Sequence, residues 1–225
     1  MARPINYLER SRIQNEAFSL LSKKGFNKTS LSDIANEAKI SKSLVQYYYP
    51  KKEQLISEFV DLSLNYVYKL IKEDSTLHFA SEFDMIYGVG YAQFYFIMYN
   101  PLASKFALDI LRDRENTTIV VDNTVNWIHQ KAKDLLSQSK LSLLEETNLF
   151  TFTVGGAFEY LYKALKNKEE INTDFISRMA MSLVGPELQL ITDEPLNNMD
   201  VRHLFSDSWL NENIKKYNKF VFKII

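Results

Sequence analysis

The chain has 225 residues, 27 Lys and Arg against 28 Asp and Glu, 46% hydrophobic residues and no cysteine. Near neutrality gives no general attraction to nucleic acid or anionic membrane, and the lack of cysteine excludes disulfide scaffolds, thiolate metal sites and thiol nucleophiles. No apolar run approaches the ~18 residues of a spanning helix and the opening MARPINYLERSR is too polar for a secretory signal, so a cytoplasmic location without a membrane partner is expected.

Six glycines and five prolines leave little material for hairpin turns, which predicts an all-α fold. The spacing of Ile13, Ala17, Phe18 and Leu21 predicts a first helix of about five turns, stopped by Gly25 after Lys23 and Lys24. Ser30 and Asp33 have the spacing of a capping box and open a short helix over 31–38. Ser41 can cap a third helix carrying Leu44, Val45 and Tyr48, which Pro50 ends. A longer helix follows from Lys51 to about Lys72. Further helices are predicted over 83–99, 102–114 and 117–137. Ser142 or Thr147 opens a long helix reaching Lys168 and containing Gly155 and Gly156. Thr173 caps another that ends before Gly185-Pro186. Asp193-Glu194-Pro195 and Asn197-Asn198 read as turns, and 201–222 as a last helical stretch.

The neutral total hides a division. Residues 1–55 hold ten basic and five acidic side chains, a net of +5, and the other 170 hold 17 and 23, a net of −6. Such a split suggests a polyanion-binding head on an acidic body, although clustering on solvated helix faces gives the same count. Two short helices joined by Ala38-Lys39-Ile40-Ser41 and backed by a longer one make a helix-turn-helix unit, whose third helix can enter a major groove.

The stretch Ile13–Phe59 resembles the N-terminal DNA-binding domain of the TetR family of bacterial regulators. The resemblance is carried by Ala17-Phe18, Gly25-Phe26, Thr29-Ser30, Ile34-Ala35, Ala38, Ile40-Ser41-Lys42, Tyr48, and Pro50-Lys51-Lys52-Glu53 with Leu55. It implies a helix-turn-helix domain over 1–50 and a larger helical ligand-binding and dimerisation domain over 51–225. The partners it implies are double-stranded operator DNA, a small-molecule effector and a second copy of the chain. Two departures stand out: Lys39 replaces the usual turn glycine, and Ser43-Leu44-Val45-Gln46 replaces Gly-Thr-Leu-Tyr. The first predicts a left-handed lysine, and the second removes a phosphate-holding hydroxyl at Leu44 while placing at Gln46 an amide able to pair with an adenine edge.

On that frame Ser32, Lys42, Ser43 and Gln46 are the expected base readers. Thr29, Tyr47, Tyr48 and Lys52 match positions that grip phosphates in the family, although either tyrosine ring could instead be packed inside. For the dimer interface the helices over about 143–167 and 173–184 are candidates, with Phe150, Val154, Phe158, Leu161, Leu165 and Met179. Packing within one chain is the competing use of those side chains. Tyr87, Tyr91, Tyr95 and Tyr99 fall at i+4 steps after Phe83, with Phe94 on a neighbouring face. They suggest a ligand pocket to which Phe106, Trp127 and His129 could contribute, or else ordinary core. His78, His129 and His203 lie far apart without metal-ligand or nucleophile motifs, so neither an enzyme nor a cofactor is expected. The expected function is a ligand-responsive regulator, most simply a repressor released by a partly aromatic or apolar effector. The alternative is a DNA-bound structural or division-related factor answering to a protein partner; an enclosed aromatic cavity favours the first and an exposed apolar patch without one the second.

Overall fold

The computed structural model describes residues 6–79, 81–170, 172–187 and 205–222. Among them the chain forms helices only: α1 Tyr7–Lys24, α2 Leu31–Glu37, α3 Lys42–Tyr48, α4 Gln54–Lys72, α5 Glu82–Met98, α6 Pro101–Leu111, α7 Arg114–Lys131, α8 Lys133–Leu136, α9 Leu143–Asn167, α10 Thr173–Glu187 and α11 Asp207–Val221. Most of the helices start where short polar side chains can satisfy their first free N–H groups, α4 and α8 being the exceptions. Asn6 accepts from Leu8 and Glu9, Ser41 from Leu44, Ser81 from Asp84 and Asn100 from Leu102 and Ala103. Ser30 with Asp33 and Ser142 with Glu145 form reciprocal capping boxes.

Several boundaries differ from the expected ones for local reasons. Asp113 accepts from the amide of Asn116 and so starts α7 at Arg114, which shortens α6 to Leu111. The helix expected over 117–137 breaks at Ala132 into α7 and α8. Asn172 caps α10 by accepting from Phe175 at 3.0 Å, one residue before the expected Thr173, and the helix runs on through Gly185 and Pro186 to Glu187. Asp193-Glu194-Pro195, Asn197-Asn198 and 201–204 lie outside the described residues, and the last helix begins after Ser206.

One continuous cluster of buried side chains runs from Ile13 in α1 to Phe222 after α11. Helices α1–α3 fold around Ile13, Phe18, Ile34 and Val45, while α4 packs on α5, α7 and α11 and also touches α1. A second seam joins α6 to the end of α1. The amide and side chain of Asn27 donate to Asp109 at 2.8 to 3.1 Å, and Lys105 donates to the Lys23 carbonyl at 3.0 Å. Gly25 sits at this seam with φ +91°, and a Cβ there would stand 2.9 Å from the Asp109 carboxylate. The glycine is required both by its backbone and by that close approach.

Candidate nucleic-acid interface and ligand cavity

Helices α2 and α3 are each seven residues long and are held by three features legible locally. The Ser30–Asp33 box closes one end of α2; Lys39 adopts φ +53° to make the turn; Ser41 caps α3. Arg12 of α1 adds a bond at 3.1 Å to the Ala38 carbonyl, covering the C-terminus of α2. The hydroxyl and amide of Ser30 both donate to Asp33, and these bonds hold its carboxyl below the usual range. Val45 is fully buried beneath α3 and Ile40 packs on the same core. The opposite face therefore points outward: Lys42, Ser43 and Gln46 are exposed, Ser32 and Leu44 half-buried.

The other expected DNA contacts separate into two groups. Tyr47 is exposed and Tyr48 half-buried, with their rings edge to face at 5.1 Å. Thr29 is buried, and its hydroxyl donates to the Gly25 carbonyl at 2.7 Å. The Lys52 ammonium donates to the carbonyls of Phe26 and Thr29 at 2.9 and 3.0 Å and lies 4.2 Å over the Phe26 ring. Burial lowers its pKa from the ordinary lysine value. Both side chains hold the loop between α1 and α2, and two of the three Lys52 N–H groups are thereby committed.

A polar cluster that the sequence does not announce fastens the head to α4. Glu58 accepts from Tyr49 and Gln14 at 2.7 and 2.8 Å and pairs with Arg10. Tyr49 is wholly buried, and burial followed by the adjoining Glu58 raises its pKa, so the phenol stays protonated and donates. The four side chains come from α1, the end of α3 and α4. Their sequence separations of up to 48 residues leave no local signal except an acid on the apolar helix α4.

The body contains two adjoining chambers. The outer, about 140 Å³, lies among α4, α5, α7, α9 and α10; its walls include Tyr87, Tyr91, Phe94, Trp127, Phe150 and Phe158. The inner, about 60 Å³, lies toward α6 and α11 and is walled by Phe59, Ile97, Phe106 and Tyr217 among others. Leu64, Gln93, Thr124 and Phe158 line both. Gly90 opens onto the outer chamber with nothing within 4 Å of the position a Cβ would take.

Of the seven side chains expected in a pocket, Tyr87, Tyr91, Phe94 and Trp127 line the outer chamber and Phe106 the inner. Tyr95 lines neither; it packs between Tyr91 and Tyr99. His129 also stands outside, edge-on to Phe150 at 5.4 Å and 3.9 Å from Glu146. The expected dimer residues divide as well. Phe150, Phe158 and Leu161 are buried inside the protomer, and Val154 and Leu165 are half-buried against its core. The three buried side chains lie on the face of α9 that the body covers. The face left open carries Phe152 (71% exposed), Gly155, Gly156 and Tyr160, beside Phe175 and Met179 of α10. The two glycines have open space where a Cβ would sit.

A three-helix head with an outward second helix of the helix-turn-helix, set on a helical body, is the architecture of helix-turn-helix proteins whose second helix enters a major groove. Residues 13–59 match the family described as bacterial regulatory proteins, tetR family. A 52-residue stretch is 44% identical to the uncharacterized HTH-type transcriptional regulator YuxN of Bacillus subtilis, spanning 23% of this chain but only 16% of that protein. The whole fold is similar to ligand-free RolR, with a TM-score of 0.54 at 14% identity over 82% of this chain and 97% of that one. It is also similar to a TetR-family regulator from Streptomyces coelicolor, with a TM-score of 0.52 at 16% identity over 84% and 99%. The match to the tetR family thus covers the N-terminal head, and the described residues of the body are all-helical as in those structures. None of the described helices is long and apolar enough to cross a membrane.

Proposed function

We propose that the chain is a homodimeric transcriptional regulator that binds operator DNA through α3 and is released from it when the body takes up a small, largely apolar effector. The observation that carries the reading is the pairing of an exposed Lys42–Ser43–Gln46 surface, on a helix capped at Ser41, with an aromatic-walled cavity in the same chain. The cavity also favours a small-molecule effector over control by a protein partner. Helix α4 touches both ends of the pathway: Leu64 lines both chambers, and Glu58 grips Tyr49 at the foot of α3. An effector that prefers the body state with wrongly spaced heads would empty the DNA site by shifting that population.

The test is selection of bound sequences from a random duplex pool by the full chain, followed by affinity measurements across a salt series. The expected result is a two-fold related site. Gln46→Ala should then cost about 1–3 kcal/mol at one base pair of each half-site and relax the preference there, with the salt slope unchanged. A pool that shows no enrichment would remove the reading.

A further inference from the structure

The junction of the two chambers holds a closed ring of hydrogen bonds. Ser63 Oγ donates to Gln93 Oε1 at 3.0 Å, Gln93 Nε2 donates to the Tyr217 hydroxyl at 3.1 Å, and that hydroxyl lies 2.5 Å from Ser63 Oγ. Because the serine proton is committed to Gln93, the tyrosine proton closes the ring. All three side chains are buried, and burial raises the Tyr217 pKa, keeping its proton in place. The ring uses one amide N–H and one carbonyl lone pair of Gln93, the member that lines both chambers, and leaves a second of each for a guest. Three other polar wall groups are engaged elsewhere: Thr124 and Thr153 donate back to their own helix, and Trp127 donates to Asn65.

The charge of the guest follows from the walls. Among the described residues lining either chamber there is no Lys, Arg, His, Asp or Glu. An ionised ligand would lose its hydration with no counter-charge to replace it. Size follows from volume: an apolar cavity of about 150 Å³ holds benzene, so the outer chamber takes one ring and the inner a short substituent.

Building on the regulator reading above, we propose that the effector is an uncharged molecule of one aromatic or alicyclic ring with a short chain, and that its single hydrogen-bonding group is recognised by Gln93 at the junction. The ring stacks among Tyr87, Tyr91, Phe94 and Trp127; the polar group reaches the Ser63–Gln93–Tyr217 ring. Since Tyr217 belongs to α11, the same contact places the last helix of the chain against the ligand.

The test is calorimetric titration of the full chain at pH 7 with 3-phenylpropan-1-ol, propylbenzene, 3-phenylpropanoate and 3-phenylpropylamine, which share a ring and chain and differ in the end group. The alcohol should bind roughly five- to tenfold more tightly than the hydrocarbon. Both ions should bind at least about thirtyfold more weakly than the alcohol. Gln93→Leu should bring alcohol and hydrocarbon within about twofold, and Ser63→Ala, the gentler change, should narrow the gap in the same direction. Tighter binding of either ion, equal binding of alcohol and hydrocarbon, an alcohol preference that survives Gln93→Leu, or no binding of any of the four overturns the assignment. Affinity of the same unliganded wild-type preparation for the selected duplex reports on the regulator reading by itself, so either idea can fail while the other stands.

Discussion

Lys39 shows how a single residue can carry a family's geometry at a cost. Its φ of +53° lies in the left-handed region, where a side chain is strained by about 1 kcal/mol relative to glycine. The bond from Ile40 to the Ala35 carbonyl and the Ser41 cap hold the turn in place around it. Lys39→Gly should therefore stabilise the chain by ~0.5–1 kcal/mol, read as a higher denaturant midpoint at unchanged slope. A lower midpoint would mean that the lysine side chain contributes more than its backbone loses. Lys39 and the helix-stopping role of Gly25 were legible in the sequence because each acts within three or four residues of itself, whereas the approach of Asp109 to Gly25 was not. Gln93, Glu58 and Asp109 were not, since their partners Tyr217, Arg10 and Asn27 lie 124, 48 and 82 residues away.

At the scale of elements, the caps decide whether the two seven-residue helices of the head persist. Seven residues are too few to hold a helix by propensity, so α2 and α3 depend on their ends and on one buried stripe each. Ser30→Ala removes one side of the α2 box and should lower Tm by roughly 2–4 °C, with a larger loss of DNA affinity than of global stability. The pH dependence has a fixed sign. Asp33 has a folded pKa below its unfolded one, so its contribution is fully present above the unfolded value of about 4 and disappears as pH falls through the lower folded value. Acid titration of the wild type should show this loss, and Ser30→Ala should flatten it; an identical acid limb in both proteins would contradict the assignment. The tyrosine stripe of α5 shows where element-level reading stops. An i+4 series advances by about 40° per step on a helix of 100° per residue, so the four tyrosines spread over about 120° and the last turns away from the side the first faces. Tyr87 and Tyr91 point into the body, Tyr95 is half-buried, and Tyr99 is 54% exposed.

Taken whole, the molecule links its N-terminal head to its cavity by direct packing. Phe18 of the head meets Phe59 of α4 at 5.5 Å, and Phe59 meets Phe106 of α6 at 4.4 Å and Phe222 at 5.5 Å. Phe59 and Phe106 also line the inner chamber, so the proposed guest would press on side chains that touch the head core. On the proposed reading a two-fold site needs two heads, and the open face of α9 and α10 is the surface proposed to join them. The double variant Phe152→Arg, Met179→Arg alters only exposed side chains and should sediment as a single chain where the wild type sediments as two, with operator affinity falling at least a hundredfold. An unchanged sedimentation profile would place the interface elsewhere.

The sequence by itself determined the helical class, the three-helix head with its caps and turn, the sorting of positive charge into residues 1–55, and an aromatic body. All of these rest on residue type and on spacings of a few positions, which local physics converts directly into structure. Only the tertiary fold decided which side of α9 faces inward, since that helix is apolar on more than one side. It drew Phe150 and Phe158 into the cavity wall and left Phe152 and the paired glycines outside. It also turned Lys52 and Thr29 toward the loop between α1 and α2, and brought Tyr217 across 124 positions to Gln93. Burial and long-range hydrogen bonding depend on what packs opposite a side chain, and no spacing within one segment contains that.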